Sequence, residues 1–260
     1  MEKPLKRRAF EGTWNVVRFN WHFYVLFSLL STFIWFFLCS PWAALLPAKG
    51  QVLLGCAWGL GFLSMLLSLA VSWYVYDYSP LYTFNWLKIK TLPNGLLLNI
   101  HAGFDETSFL LQKQFPLAQV QALDFYDPQL HTELSIKRAR KVYPPYPNTL
   151  SIKTQSIDWP SQSTAHIFLI LSAHEMRKSD ERVVFFTELS RLLTEEGEMV
   201  VVEHLRDVPN FLAYNLGFFH FHSSKTWLET FKNARLQLSN SYRITPFLQV
   251  YHLKKHGATP

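Results

Sequence analysis

Cysteine is nearly missing from this chain: only Cys39 and Cys56 occur among 260 residues. Two thiols that both fall in or beside apolar runs build neither a disulfide framework nor a thiolate metal site. They also exclude thiol chemistry from the polar remainder. Charge is scarce as well. Asp, Glu, Lys and Arg make up 17% of residues and apolar types 49%, a greasy balance for a soluble protein. The scarcity is concentrated, because Trp21–Cys39 and Val52–Trp73 contain no Asp, Glu, Lys or Arg. Glycine is missing where it would be informative. The stretch LLLNIHAGFDETS, residues 96–108, has the strand–loop–helix shape of a nucleotide-binding turn but keeps only Gly103. The sequence holds no P-loop and no Gly-x-Ser-x-Gly elbow, which argues against a phosphate-cradling or α/β-hydrolase site.

The two uncharged stretches approach the roughly 20 residues that cross a ~30 Å hydrocarbon core. Pro41 and Ala48-Lys49-Gly50 interrupt the chain between them. Together they predict a transmembrane hairpin over 21–75, with spans at about 21–39 and 52–73. A cleaved signal peptide fits poorly, since the first run is too long, rich in aromatics, and lacks a small-x-small site before Pro41. Lys3, Lys6, Arg7, Arg8 and Arg18 crowd the flank over 1–20, while the hairpin loop has only Lys49. Lys88 and Lys90 follow the second span. The positive-inside rule then puts both termini in the cytoplasm of a multi-pass protein, as in a bacterial inner membrane. The flank supplies part of the formal +6 charge and would rest against anionic headgroups. Membrane, rather than nucleic acid, is the partner these charges imply.

From residue 82 to 256 the pattern changes. Leu96–Ile100, Gln119–Phe125, Leu150–Ile157, Ile167–Leu171, Met199–Val202 and Phe247–Leu253 read as strands. Ser108–Phe115, His131–Arg140, Glu181–Glu195 and Trp227–Ala234 read as helices, the third closed by a Glu-Gly-Glu turn. Pro-Pro-Tyr-Pro at 144–147 stops the second. Such alternation predicts a Rossmann-like, three-layer α/β fold with a mostly parallel sheet. Ligands bind beyond the carboxyl ends of such strands. The 101–105 loop, the end of the second strand and Ser172-Ala173-His174-Glu175 therefore share one rim.

In this order the pieces resemble the class I S-adenosylmethionine-dependent methyltransferases, of the quinone-biosynthesis and small-molecule type. LNIHAGFD stands where that superfamily has acidic-x-Gly-x-Gly-x-Gly. ALDFYDP matches a second strand ending in an acid, Asp124, with Asp127 as a second choice. SIDWP offers Asp158 after the third strand, and IFLILSAHEM matches the fourth. RVVFFTELSRLLTEEGEMVVVEH, 182–204, resembles the following helix, Gly turn and fifth strand. The resemblance covers about 82–254 and implies S-adenosylmethionine as cofactor. It assigns the cofactor loop to Asn99, His101, Gly103 and Asp105, the ribose to Asp124 and the adenine side to Asp158. Departures are plain. Asn99 and His166 stand where the family has acids, and His101 and Asp105 where it has glycines. Glycine admits close backbone approach and positive φ, so His101 would crowd the site or add a hydrogen bond. Asp105 would point away or meet the cofactor's amino group, and Asn99 still offers a carbonyl and an amide.

Plainer readings stand beside these. The loop also fits an ordinary turn with Glu106-Thr107-Ser108 capping a helix. Asp124 also fits a turn or cap, and Asp158 before Trp159-Pro160 an Asx turn. His174, Glu175 and His204 end the fourth and fifth strands and are the catalytic candidates, a histidine being suited to act as base near neutral pH. Otherwise His174 packs and Glu175 anchors a loop with Arg177. His220 and His222 would share one face of a strand, a metal pair without a third ligand, so no metal is expected. The aromatic stretch 210–227 would line a pocket, dip into the headgroup layer, or pack buried on the sheet. The expected activity is methyl transfer, foremost to oxygen, on a lipophilic small-molecule acceptor. The alternative is a binding or assembly protein that kept the fold and lost turnover.

Overall fold

The computed structural model describes residues 7–89 and 95–257; Lys3, Lys6 and Lys90 of the basic flanks lie outside them. Three helices open the chain: α1 (Glu11–Phe19), α2 (Trp21–Cys39) and α3 (Ala48–Trp73), the last running into a π-turn at Tyr74–Tyr78. Helices α2 and α3 are long and apolar enough to cross a membrane, and their most apolar windows are wholly unburied. They lie side by side, with the rings of Trp35 and Trp58 5.8 Å apart and Gly61 against Phe27. Helix α3 starts before Val52 because Pro47 fixes the extended turn ahead of it, so Lys49 falls in its first turn.

Helix α1 lies within the flank that the sequence suggested only as basic. Asp77 of the π-turn caps it, accepting from Gly12 N, Thr13 N and Thr13 Oγ1 at 2.8, 2.8 and 2.6 Å. Arg7 is spent on protein rather than left for headgroups. It pairs with Glu106 at 2.8 Å, and its guanidinium lies 3.7 Å above the Tyr82 ring.

The sheet follows: β1 (Leu96–His101), β2 (Gln119–Asp124), β3 (Leu150–Ser151), β4 (Thr164–Ile170), β5 (Leu193–His204), β6 (Leu236–Thr245) and β7 (Leu248–Lys255). Its order is 3-2-1-4-5-7-6, parallel from β3 to β5, with β7 antiparallel to both neighbours. Helices α4 (Ser108–Gln114), α5 (Leu134–Val142), α6 (Ser179–Leu192), α7 (Val208–Tyr214) and α8 (Ser224–Asn233) complete the chain.

Several boundaries differ from the sequence pattern for identifiable reasons. Strand β3 is two residues long, because Lys153 and Ser156 bridge across a turn that consumes the remaining alternation. Helix α6 stops at Leu192, since fully buried Leu193 turns extended and enters β5. The Glu-Gly-Glu segment becomes a bulge, Leu193 pairing with Thr164 and Glu198 with His166. That pairing also puts His166 inside β4 rather than before it. Helix α5 begins after His131, whose Nδ1 accepts from Asp127 N at 2.9 Å and holds a turn there. Strand β6 carried no signal, because LQLSNSYRIT is an edge strand with mostly polar, exposed side chains.

Parallel strands buried on both faces alternate between two cores. Leu98, Ile100, Ile167 and Leu169 face α6 and α8 through Phe186, Trp227 and Phe231. Leu97, Phe168, Val200 and Val202 face the other way, toward Leu111 of α4 and toward Val71 and Val75 at the hairpin base. The hairpin base is thus part of the sheet's covering layer. Winding reverses between β1 and β4, which opens a crevice beyond their carboxyl ends.

Candidate functional site

Strand β1 delivers His101 to this crevice, and the chain returns through Gly103 into α4. Asp105, rather than Glu106-Thr107-Ser108, caps that helix: its Oδ1 accepts from Thr107 N and Ser108 N, both at 2.9 Å. Buried Asn99 donates from Nδ2 to Thr107 Oγ1 at 2.9 Å and Ser108 Oγ at 2.7 Å. His101 Nδ1 accepts from Gly103 N at 3.2 Å, which leaves the ring proton on Nε2. Three buried atoms at the end of β1 and in the loop after it then have no hydrogen-bond partner among the described residues: Asn99 Oδ1, Asp105 Oδ2 and His101 Nε2, the last two facing each other at 3.9 Å. An unpaired buried polar atom costs about 1–3 kcal/mol. Two acceptors and one donor at this strand end are the complement of an amino-acid zwitterion, whose ammonium donates and whose carboxylate accepts.

Asp124 ends β2, and its Oδ1 accepts from Tyr126 N at 2.9 Å. Its Oδ2 is taken by Arg140 of α5, at 2.5 Å. The guanidinium also lies 4.6 Å above the Tyr126 ring and covers the face of Gly103. Gly103 has φ +86°, and a Cβ there would meet Arg140 Nη1 at 2.6 Å. Gly103→Ala is therefore expected to cost about 1–3 kcal/mol, from left-handed strain and displacement of Arg140. A thermal melt of the full chain in detergent checks this; an unchanged midpoint would contradict the packing. Beyond β2 and β3 lies a cleft of about 470 Å³ walled by Tyr126, Asp127, Lys153, Thr154 and Gln155. Asp158 is exposed and lies outside that wall.

His174 and Glu175 sit on a 3₁₀ turn, Ala173–Glu175, just past β4. Fully buried Glu203 of β5 organises it. Its Oε1 accepts from Ala173 N at 2.7 Å and His174 N at 3.2 Å, and its Oε2 from His174 Nδ1 at 2.6 Å. Burial alone would lower the His174 pKa, but Glu203 and Glu175 outweigh it and hold the value up at about 10. At neutral pH this ring is charged, so it donates rather than accepts a proton.

His204 is its opposite. Burial pushes it down to about 4. Its Nε2 accepts from Tyr76 OH at 2.8 Å, while Nδ1 faces Asn210 Oδ1 and Phe247 O, each at 3.0 Å. Both nitrogens are engaged by protein, and the ring clamps the hairpin base to β5. Acid should loosen that clamp. Between about 6.5 and 4 the unfolded chain binds a proton that folded His204 refuses, so stability falls as pH falls through this window. The loss reaches at most about 1.4 kcal/mol per pH unit for one such histidine. His222, pushed down to about 3 first by burial and then by Arg182, acts in the same direction. Melting the full chain at pH 7.5, 6.5, 5.5 and 4.5 tests this, and His204→Gln is expected to flatten the slope. A midpoint constant down to pH 4.5 would overturn it.

His220 and His222 do not share a face. His222 Nε2 meets Met176 O at 3.1 Å and Arg182 at 3.3 Å. His220 ends a 3₁₀ turn, Asn215–His220, and points to Glu175 at 3.4 Å and Glu133 at 2.9 Å. The aromatic stretch is not a buried helix: Val208, Phe211, Leu212 and Phe219 are exposed. It adjoins the hairpin, with Asn215 Nδ2 donating to Ser64 Oγ of α3 at 2.5 Å. Sequence reading missed Arg140, hidden in the basic run 137–141 that reads as a solvated helix face, and Glu133 on a loop. Glu203 was visible only as the residue before His204.

No family model matches the sequence, and no curated protein matches it. Solved structures match its fold. A chain from the complex of the Haloferax volcanii methyltransferase activator Trm112 with a protein described as a methyltransferase aligns with a TM-score of 0.51. It is 9% identical, over 72% of this chain and 91% of that one. An S-adenosylmethionine-dependent methyltransferase from Aquifex aeolicus aligns at TM-score 0.45 and 14% identity, over 62% and 81%. Geranyl diphosphate C-methyltransferase from Streptomyces coelicolor aligns at 0.44 and 13%, over 62% and 72%. The chain has the Rossmann-like methyltransferase fold.

Proposed function

We propose that this protein is a membrane-anchored, S-adenosylmethionine-dependent methyltransferase that methylates oxygen on a lipophilic small molecule. The observation that carries the reading is the trio of buried atoms at the end of β1 and in the loop after it that have no hydrogen-bond partner among the described residues. Bound there, the cofactor would supply an electrophilic methyl group on a sulfonium sulfur. Asn99 Oδ1 and Asp105 Oδ2 would accept from its ammonium end, and His101 Nε2 would donate to its carboxylate. Asp124 would take the ribose hydroxyls once Arg140 withdraws, and the cleft beside Tyr126 and Gln155 would take the base. His174, held as a cation, would steer an acceptor oxygen rather than deprotonate it. Rate would come mainly from aligning two bound reactants.

Anchoring by α2 and α3, with both termini on the cytoplasmic side, is supported by their exposed apolar surfaces and by the flanking basic residues. The exposed apolar side chains of α7 and the turn after it adjoin the hairpin, a suitable approach for an acceptor drawn from the bilayer. One observation favours a second reading. Arg140 fills the ribose side of the crevice, as it would in a binding protein that kept the fold without turnover.

The test uses full-length protein in detergent. Calorimetric titration with S-adenosylmethionine and S-adenosylhomocysteine should give micromolar binding, followed by transfer of labelled methyl into a lipid extract. Failure of well-folded protein to bind either compound, even after Arg140→Ala, would favour the second reading. Anchoring is tested separately, by whether the chain stays with membranes after alkaline carbonate washing.

A further inference from the structure

We propose that His174, Glu175 and His220 form a binding site for one divalent transition-metal ion. The inference does not depend on the cofactor reading and holds whether or not the 101–105 loop binds anything.

Three ligand atoms converge beyond β4. His174 Nε2 is 3.5 Å from Glu175 Oε1, and His220 Nε2 is 3.4 Å from the same oxygen. All the ligand atoms lie within 4.8 Å of one another. An ion ~2.1 Å from each ligand in tetrahedral geometry spaces them about 3.4 Å apart, so two of the edges already have the required length. Both rings present Nε2 because carboxylates occupy their other nitrogens, and on His174 the ion would displace the Nε2 proton that the metal-free ring carries. Glu203 holds His174 Nδ1 at 2.6 Å and Glu133 holds His220 Nδ1 at 2.9 Å. Metal-bound histidines are oriented by carboxylates in this way.

A separate observation points to a ligand for Glu175. The Glu175 side chain is only 5% exposed, and its Oε2 has no partner among the described residues. Glu133 pairs with Arg177, while Glu175 and Glu203 flank His174; with both imidazoles neutral as ligands, three carboxylates are opposed by one guanidinium, which leaves charge for a divalent ion to balance. Two imidazoles and one carboxylate suit zinc, cobalt, iron or manganese; magnesium and calcium prefer oxygen alone. Arg177 is the competitor. Its Nη2 is 3.0 Å from His220 Nε2 and 3.1 Å from Glu133. At 37% side-chain exposure it has room to withdraw onto Glu133. Three protein ligands leave a coordination position open at the rim, where an anionic or carbonyl oxygen would be held.

The experiment takes tag-free, full-length protein in detergent, stripped with chelator, and titrates it with Co²⁺ by absorption and with Zn²⁺ against a chromophoric chelator. One equivalent should bind at micromolar affinity or tighter, with ligand-field bands from Co²⁺. Glu175→Gln and His220→Gln should each weaken binding by about tenfold or more. Arg177→Gln should strengthen it, and Glu229→Gln, on an exposed surface, should leave it unchanged. His220 is 23% exposed, so its variant is expected to fold, and near-ultraviolet circular dichroism checks each protein. Absence of stoichiometric binding by folded protein would overturn the proposal, as would affinity unchanged in both Glu175→Gln and His220→Gln.

Discussion

Replacing Arg140 by alanine should strengthen S-adenosylmethionine binding about tenfold, ~1.4 kcal/mol, while Asp124→Ala should abolish it. The ion pair itself is a minor part of the effect. Arg140 is 39% exposed, and pairs of that kind contribute about 0–1 kcal/mol. Position matters more. The guanidinium stands on the only carboxylate that ends β2, and covers the one face of the loop where glycine leaves room for a ligand. A ligand entering there must first displace it. Arg140→Lys should fall between, since an ammonium keeps the charge but not the planar fork that spans Asp124 and the Tyr126 ring. Calorimetry on the three variants and the parent decides the matter. Equal affinities throughout would show that the crevice is not where the cofactor sits.

Much of the sheet was legible because short, fully apolar runs between helix periods leave few alternatives. IFLIL and MVVV lie in central strands buried on both faces, β5 being parallel to β4 and antiparallel to β7. The edges were harder. Strand β6 has its solvent side written in polar residues, and β3 spends most of its alternation on a turn. The rim was legible in position but not in role. Asp124, His174 and His204 do end strands β2, β4 and β5 or follow them closely, as chain order alone suggests. What each does depends on partners far away in sequence. Tyr76, 128 residues earlier, makes His204 a structural clamp. Arg140 covers Asp124 from a helix whose pattern reads as solvent-facing. His220 reaches Glu175 only because the chain after α7 returns beside the end of β5, where Leu205 and His222 bridge. Spacing between neighbours in sequence carries none of that information.

Glu203→Ala should be the most destabilising single change at the rim, by about 3–5 kcal/mol. The carboxylate is fully buried and serves three donors at once: two backbone N–H groups of the turn after β4 and the His174 ring. Alanine leaves all three without acceptors in a place water does not reach, and it strands His174, whose charge Glu203 supports. For a domain of this size the melting midpoint should drop by on the order of 10 °C. Glutamine separates charge from shape. Its single acceptor oxygen meets either the backbone pair or the imidazole but not both, and its amide donors would face donors. Glu203→Gln should therefore cost less than alanine yet remain well below the parent, at about 1–3 kcal/mol. Loss of His174 charge would appear in the same variant as an ordinary ring titration by nuclear magnetic resonance. A Glu203→Gln protein as stable as the parent would mean that the turn carrying His174 and Glu175 is held by something other than this carboxylate.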